Sequence, residues 1–300
     1  METSYNRKTK GFAAAGLVLT TMIWGSAFVI MKNSVDVIPP TWLLAFRFTV
    51  AAAALFAVFH KSCRRPSRES VSCGIVLGIL LELAYLFQTY GLKYTTASKN
   101  AFITTLYVVM VPFFHWLINR KRPGTGNLLA AFIAVVGLAL LSLEGEIGVQ
   151  LGDILTLVCG VCFALHLIMI DRYTEAVDPV FLTVVQIAVA AVLNWCLAPI
   201  LDGRFDFSVL ADQSLLGGIV YLALFSTMLG FLLQNVGQKY LSANTSSILL
   251  SLESVFGALF SVIFLKESLT GKMLIGCALM FAAVLLSELR PGRQRTEAER

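Results

Sequence analysis

The chain has 300 residues, of which 57% are hydrophobic and 14% charged, and its mean hydropathy is +0.79. A soluble domain carries about 45–50% apolar and ~25% charged residues, so this chain is built for lipid and has little room for a soluble catalytic domain. The formal net charge of +5 comes without a basic run interleaved with aromatics, which argues against a nucleic-acid partner.

Arg7, Lys8 and Lys10 precede the first apolar run, 12–31. That run is longer than the ~7–15 residues of a secretory signal core, and no clear small-x-small cleavage site follows it. It reads as a retained first helix, carrying Trp24. Further runs follow at 41–60, 71–90, 100–118, 126–143, 152–170, 180–200, 214–236, 243–265 and 272–289. Each is close to the ~20 apolar residues needed to cross a bilayer core ~30 Å thick. They lack the period-two alternation of a membrane barrel, and backbone polar groups in lipid must be satisfied within the segment. The expectation is an all-α integral membrane protein with ten transmembrane helices.

Charges inside the spans are the informative residues, because each costs ~2.5–3.5 kcal/mol at a helix centre. Arg47 lies towards the outer end of the second span, placed to snorkel outward or pair with a carboxylate, and is read as a gating or structural charge. In the third span Glu82, Tyr85 and Thr89 share one face through i+3 and i+7 spacing. Asn100, Thr104 and Tyr107 form a similar polar stripe in the fourth. Cys159, Cys162 and His166 share a face of the sixth, but three side chains without a fourth partner do not make a metal site, and no metal or cofactor is expected. His166 reads instead as a polar residue in the cytoplasmic half of a pathway. Glu253 falls near the middle of the ninth span, with Gly257 one turn on permitting close helix approach. The candidate substrate-cavity residues are therefore Trp24, Glu82, Tyr85, Thr104, Tyr107, His166 and Glu253. A carboxylate at the depth of Glu82 or Glu253 can take up a proton from one side of a membrane and release it to the other.

Counting Lys and Arg in alternate loops puts sixteen with the N-terminus and six on the opposite side, with Arg47 inside a span. Cytoplasmic loops are the Lys/Arg-rich ones, so both termini are expected in the cytoplasm, 1–11 as a short leading segment and 290–300 as a tail.

The two halves, 12–143 and 152–289, look alike. Trp24 to Phe56 aligns with Phe163 to Trp195 at one constant offset, matching Pro40 with Pro179 and Ala51-Ala52 with Ala190-Ala191. Gly91-Leu92-Lys93-Tyr94 aligns with Gly237-Gln238-Lys239-Tyr240, and Tyr107 falls opposite Glu253. With five spans each, the second copy must enter the membrane upside down. Inverted repeats place a binding site at their interface near the midplane, and rocking of one unit against the other gives alternating access.

Trp24-Gly25-Ser26-Ala27-Phe28, Arg47-Phe48, the run Gln88 to Ser98, Leu106-Tyr107 with Pro112, Ser251-Leu252-Glu253-Ser254 and Lys266-Glu267-Ser268-Leu269 together resemble the EamA-type family of the drug/metabolite transporter superfamily. The resemblance covers roughly 12–289. It implies ten helices in two inverted five-helix repeats around a central cavity, and transport of small metabolites, often export of amino acids or related compounds. Ser254 stands where that family usually has proline after Leu-Glu, which puts a helix kink there in question. The first-half counterpart of the Lys266-Glu267 corner is basic, Arg120-Lys121-Arg122.

No nucleotide-binding loop, zinc-protease helix or hydrolase elbow is present in the sequence, so energy for transport must come from a gradient. The expectation is a secondary exporter in a bacterial-type inner membrane, not an enzyme, with a small molecule, the bilayer and protons as partners and the choice of monomer or homodimer open. A multidrug or toxic-cation exporter is one alternative. An integral-membrane enzyme on lipid-linked substrates and a non-transporting receptor are the others.

Overall fold

The computed structural model describes residues 7–64, 66–95, 97–120, 124–142, 150–265 and 270–289. The Lys266 to Leu269 corner, Lys121 and Arg122 of its basic counterpart, and the terminal segments 1–6 and 290–300 lie outside the described residues. Within them the chain is helical: α1 (Arg7–Val35), α2 (Pro40–Phe59, with a 3-10 extension His60–Cys63), α3 (Arg68–Tyr94), α4 (Ala97–Thr105), α5 (Tyr107–Asn119), α6 (Thr125–Ser142), α7 (Leu151–Tyr173), α8 (Pro179–Leu201), α9 (Gln213–Tyr221), α10 (Gly230–Gln238), α11 (Ala243–Leu250), α12 (Glu253–Leu265) and α13 (Gly271–Leu289). A π-helical stretch, Leu222–Leu229, joins α9 to α10. These make ten crossings: eight long, apolar helical stretches and the shorter apolar Thr125–Leu140 and Leu274–Leu286.

Local chemistry sets the ends. Pro40 and Pro179 each open a helix at its first position, where the missing N–H and fixed φ cost nothing. The Asp178 carboxylate caps α8 by accepting from the Phe181 N–H at 3.2 Å. Asp202, just past α8, accepts from the Thr41 N–H at 2.8 Å, the Thr41 hydroxyl and the Tyr90 hydroxyl at 2.8 Å. One carboxylate thus ties the start of α2 to the ends of α3 and α8. Around it Trp42, Phe46, Trp195, Phe205 and Phe207 pack ring to ring, in the manner of an interfacial aromatic belt.

The halves pack on each other with exchanged roles. Helix α3 lies along α7 as α10 lies along α1, and α4–α5 meet α7 as α11–α12 meet α1. Helices α2 and α8 pair with each other, as do α6 and α13. Apolar side chains such as Leu117, Phe132 and Ile200 face outward, where lipid tails are as apolar as they are. The interior holds polar side chains, among them Arg47, Glu82, His166, Asn194 and Glu253.

Two expected spans are not straight. The fourth breaks at Leu106 between α4 and α5, and the ninth at Ser251-Leu252 between α11 and α12. Proline is absent from both breaks; Ser and Thr hydroxyls do the work. Ser247 and Ser251 donate back to the carbonyls of Asn244 and Ile248 at 2.9 and 2.7 Å, and Thr105 donates to Ala101. Such back-bonding competes with the helical ladder and bends it. The backbone tightens to three-residue spacing there, with the Leu106, Leu252 and Ser254 N–H groups bonding to Ile103, Leu249 and Ser251. Ser254 in place of proline therefore does not abolish the break. The two breaks meet, the Thr105 and Ser254 hydroxyls lying 2.8 Å apart.

Candidate functional site

A cavity opens where these breaks meet, near the mid-length of the crossings, lined by α1, α2, α3, α7, α10, the π-helical stretch and both broken helices. Its wall is largely made of residues that the internal alignment pairs: Trp24 with Phe163, Phe28 with Leu167, Gln88 with Gln234, Thr104 with Leu250 and Tyr107 with Glu253. Arg47, Tyr85, Ser226, Ala27 and Met31 complete it.

Arg47 is 1% exposed and does not snorkel. The π-helical stretch holds it. Thr227 donates its hydroxyl to the Leu222 carbonyl five residues back at 2.9 Å, and the extra residue in that turn brings Ser226 and Thr227 together onto the guanidinium. Nε donates to Thr227 Oγ1 at 2.5 Å, and Nη2 donates to Ser226 Oγ at 2.9 Å and to the Tyr85 hydroxyl at 3.2 Å. Nη1 reaches only the weak acceptor Met31 Sδ, at 3.1 Å. The guanidinium carbon lies 4.7 Å from the centre of the Tyr85 ring, within cation–π range. Among the described residues no carboxylate pairs with it. Its hydrogen-bond partners among the described residues, Thr227, Ser226, Tyr85 and Met31, are all neutral.

Glu253 is the first residue of α12 and 4% exposed. An acidic side chain there suits the helix N-terminus. The Tyr107 hydroxyl, first residue of α5, sits beside the Glu253 carboxyl without a hydrogen bond of ordinary geometry. Glu253 likewise has no basic partner among the described residues. The cavity wall thus carries one buried guanidinium and one buried carboxyl group, neither paired with an opposite charge among the described residues, with the Tyr85 ring against the guanidinium.

Trp24 is aimed by its indole N–H, which donates to the Ser226 carbonyl at 2.8 Å. It packs against Gly230, where an added Cβ would fall 2.6 Å from Nε1. Towards the C-terminal end of α3 Gln88 donates to Thr104 Oγ1 at 3.3 Å, and Asn100 bridges the Gln88 carbonyl and Thr156 at 3.1 and 2.8 Å. Towards the other side Gln234 donates to Gln238 at 3.1 Å, and Gln238 to the Leu167 carbonyl at 3.0 Å. The aligned glutamines thus stand at opposite ends of the cavity, each tied to a neighbouring polar side chain.

Of the candidates named from sequence, Trp24, Tyr85, Thr104, Tyr107 and Glu253 line this cavity together with Arg47; Glu82 and His166 do not. The Glu82 carboxyl accepts from Asn194 across the α3–α8 contact, and its other oxygen has no partner among the described residues. Helical spacing explains why Glu82 and Tyr85 part company. Residues three apart differ by about 60° around the axis, enough for Tyr85 to face the cavity while Glu82 faces α8. His166 Nε2 meets Gln186 Oε1 at 2.9 Å on the α7–α8 contact, so its stripe with Cys159 and Cys162 assembles no ligand set among the described residues. Gln88, Gln234, Phe163, Leu167 and Ser226 went unremarked as site residues. The first four are visible in the internal alignment as partners of one another or of Trp24 and Phe28. Nothing in hydropathy marks Ser226, since a π-helical turn has no composition of its own.

Comparison with known proteins agrees with this architecture. The model of the EamA-like transporter family matches twice, over residues 11–143 and 150–289. An uncharacterized transporter of Archaeoglobus fulgidus is 34% identical over 93% of this chain and 86% of its own length. The uncharacterized transporter YyaM of Bacillus subtilis is 25% identical over 79% and 81%. One solved protein crystal structure aligns with a TM-score of 0.75 over 92% of this chain and 96% of that one, at 18% identity, a likeness of fold alone. With two copies of one family pattern filling nearly the whole length of a ten-crossing membrane protein, the chain belongs to the EamA-like transporter family.

Proposed function

We propose that the protein is a secondary transporter that exports small polar or amphipathic metabolites, such as amino acids or related compounds, across the plasma membrane by alternating access. Residues 12–143 and 152–289 form two oppositely inserted units, with both termini in the cytoplasm as the Lys/Arg distribution favours. The observation that carries this reading is the mid-length cavity whose wall is drawn from aligned positions of both units. A site on the axis relating two inverted repeats sees the same surroundings from either side, so rocking one unit against the other exchanges access. Arg47 in the wall disfavours a multidrug exporter of cations, since a second positive charge would meet the first in a low-dielectric space.

Proton coupling belongs to Glu253 in this reading and not to Glu82, because only Glu253 faces the cavity. Proteoliposomes containing the full chain, loaded with a defined metabolite mixture, should release specific compounds faster than empty vesicles. An imposed pH gradient should alter that flux. Glu253→Gln is expected to abolish the response to the gradient while Glu82→Gln retains it. Flux equal to that of empty vesicles would defeat the transport reading, and an unchanged gradient response in Glu253→Gln would defeat the coupling.

A further inference from the structure

We propose that His166 and Gln186 are wall residues of the state open to the opposite face, turning to the cavity as Arg47 and Tyr85 leave it. This rests on the two-unit transport reading and adds two residues to the site that reading names.

Most of the wall comes from positions that the internal alignment pairs. The pairing lapses at Arg47, Tyr85 and Ala27, which line the cavity while their partners Gln186, Phe231 and His166 do not. Those three partners are gathered close behind it. His166 Nε2 and Gln186 Oε1 are hydrogen-bonded at 2.9 Å, and the imidazole lies 6.1 Å from the Phe231 ring. Phe231 in turn packs on two wall residues, its ring 5.9 Å from Tyr85 and 5.2 Å from Trp24. One unit therefore presents Arg47 against Tyr85, 4.7 Å from its ring centre. The other holds Gln186 and His166 against Phe231, one ring away from the cavity. In a carrier of two inverted units, rocking turns the shared site from one face to the other as each unit takes up the place of its partner. A position that lines the wall in one state then yields to its aligned partner in the other.

Hydrogen bonding points the same way independently. His166 and Gln186 are both buried, yet His166 Nδ1 and Gln186 Nε2 have no partner among the described residues. Buried polar atoms are ordinarily met, because leaving them unmet is costly. A pair that served only to join helices would carry that cost for nothing. Facing a hydrated cavity, both atoms would meet water or cargo. The exchange also alters the chemistry of the wall. A guanidinium faces the cavity in the state described here, and an imidazole and an amide replace it in the other. An anionic group held by charge-assisted bonds would lose them as the cavity turns, which favours release.

Thiol labelling of the full chain in lipid nanodiscs, where both faces are open to reagent, tests this. In a background with the six native cysteines replaced, His166→Cys, Ala27→Cys and Ala190→Cys are each treated with 2-sulfonatoethyl methanethiosulfonate. Ala190 and its aligned partner Ala51 are buried and neither lines the cavity, so Ala190→Cys marks a position that stays packed in both states. The expected result is reaction of His166→Cys within about tenfold of the Ala27→Cys rate and about a hundredfold or more faster than Ala190→Cys. The double variant His166→Leu/Gln186→Leu removes the unmet atoms together with the bond, a change that is often neutral or stabilising. Its unfolding temperature should hold or rise, while flux of the metabolite mixture from proteoliposomes falls about tenfold or more. Reaction of His166→Cys no faster than that of Ala190→Cys would overturn the assignment and leave the transport reading intact. Undiminished flux in the double variant would do the same, and the labelling decides if that variant fails to fold. Absence of specific flux from the unaltered protein would overturn the transport reading itself.

Discussion

Gly25→Ala is expected to destabilise the protein by about 1–3 kcal/mol, the usual cost of forcing extra volume into a tight contact, and to reduce carrier flux to near background. An alanine Cβ at this position would fall 2.7 Å from the Gly257 backbone nitrogen, 2.8 Å from Phe256 Cβ and 2.9 Å from the Glu253 carbonyl oxygen. Two of those three atoms are helix backbone and cannot swing aside, so α1 and α12 must separate. In a membrane, where close packing of small residues replaces the hydrophobic effect between helices, that separation removes the contact energy itself. It also moves Glu253, whose carbonyl is one of the clashing atoms. Gly257→Ala is the control. A Cβ there would meet Gly25 at 3.8 Å, an ordinary contact, and should change neither quantity. Thermal unfolding in detergent and flux in proteoliposomes read the two effects; equal losses in both variants would contradict the assigned geometry.

Replacement of Arg47 by methionine should separate stability from activity. Exchanging a buried charge for an apolar side chain of similar length removes a desolvation cost, and replacements of buried ionic groups by packed hydrophobes are often neutral or stabilising by 1–4 kcal/mol. The hydroxyl of Thr227 keeps its bond to Leu222, so the π-helical turn retains an internal tie. The unfolding temperature is therefore expected to hold or rise. Transport should fall by about one to two orders of magnitude, since a hydrogen bond to a charged group is worth about 1.5–3 kcal/mol and the cavity wall loses its guanidinium. A fall in stability with undiminished flux would make Arg47 a structural residue.

Much of the architecture is legible in the chain because burial in lipid is a property of composition. The ten apolar runs, the paired prolines at Pro40 and Pro179 and the basic loops all follow from it. The likeness of the two halves runs parallel to the double match of the family model, over 11–143 and 150–289, and its alignment pairs Tyr107 with Glu253, each at the start of a half-helix beside the same cavity. What hydropathy does not carry is backbone detail within an apolar run. The breaks at Leu106 and Ser251-Leu252 depend on hydroxyls choosing a carbonyl on their own helix, which leaves the mean hydropathy of the span unchanged. The π-helical turn that aims Ser226 and Thr227 at Arg47 is hidden for the same reason. Glu82 shows the related limit of face arithmetic. A helix surrounded by others has several buried faces, and i+3 spacing does not say which neighbour each face meets.

The aligned glutamines offer the most direct test of alternating access about a shared cavity. In a background with the six native cysteines replaced, Gln88→Cys and Gln234→Cys would each be labelled with a membrane-impermeant maleimide from one face of the membrane at a time. Reaction of the first from the outer face and the second from the cytoplasmic face is the predicted result, with a transported metabolite raising one rate as it lowers the other. Labelling of both positions from the same face, or rates that move together when the metabolite is added, would contradict it.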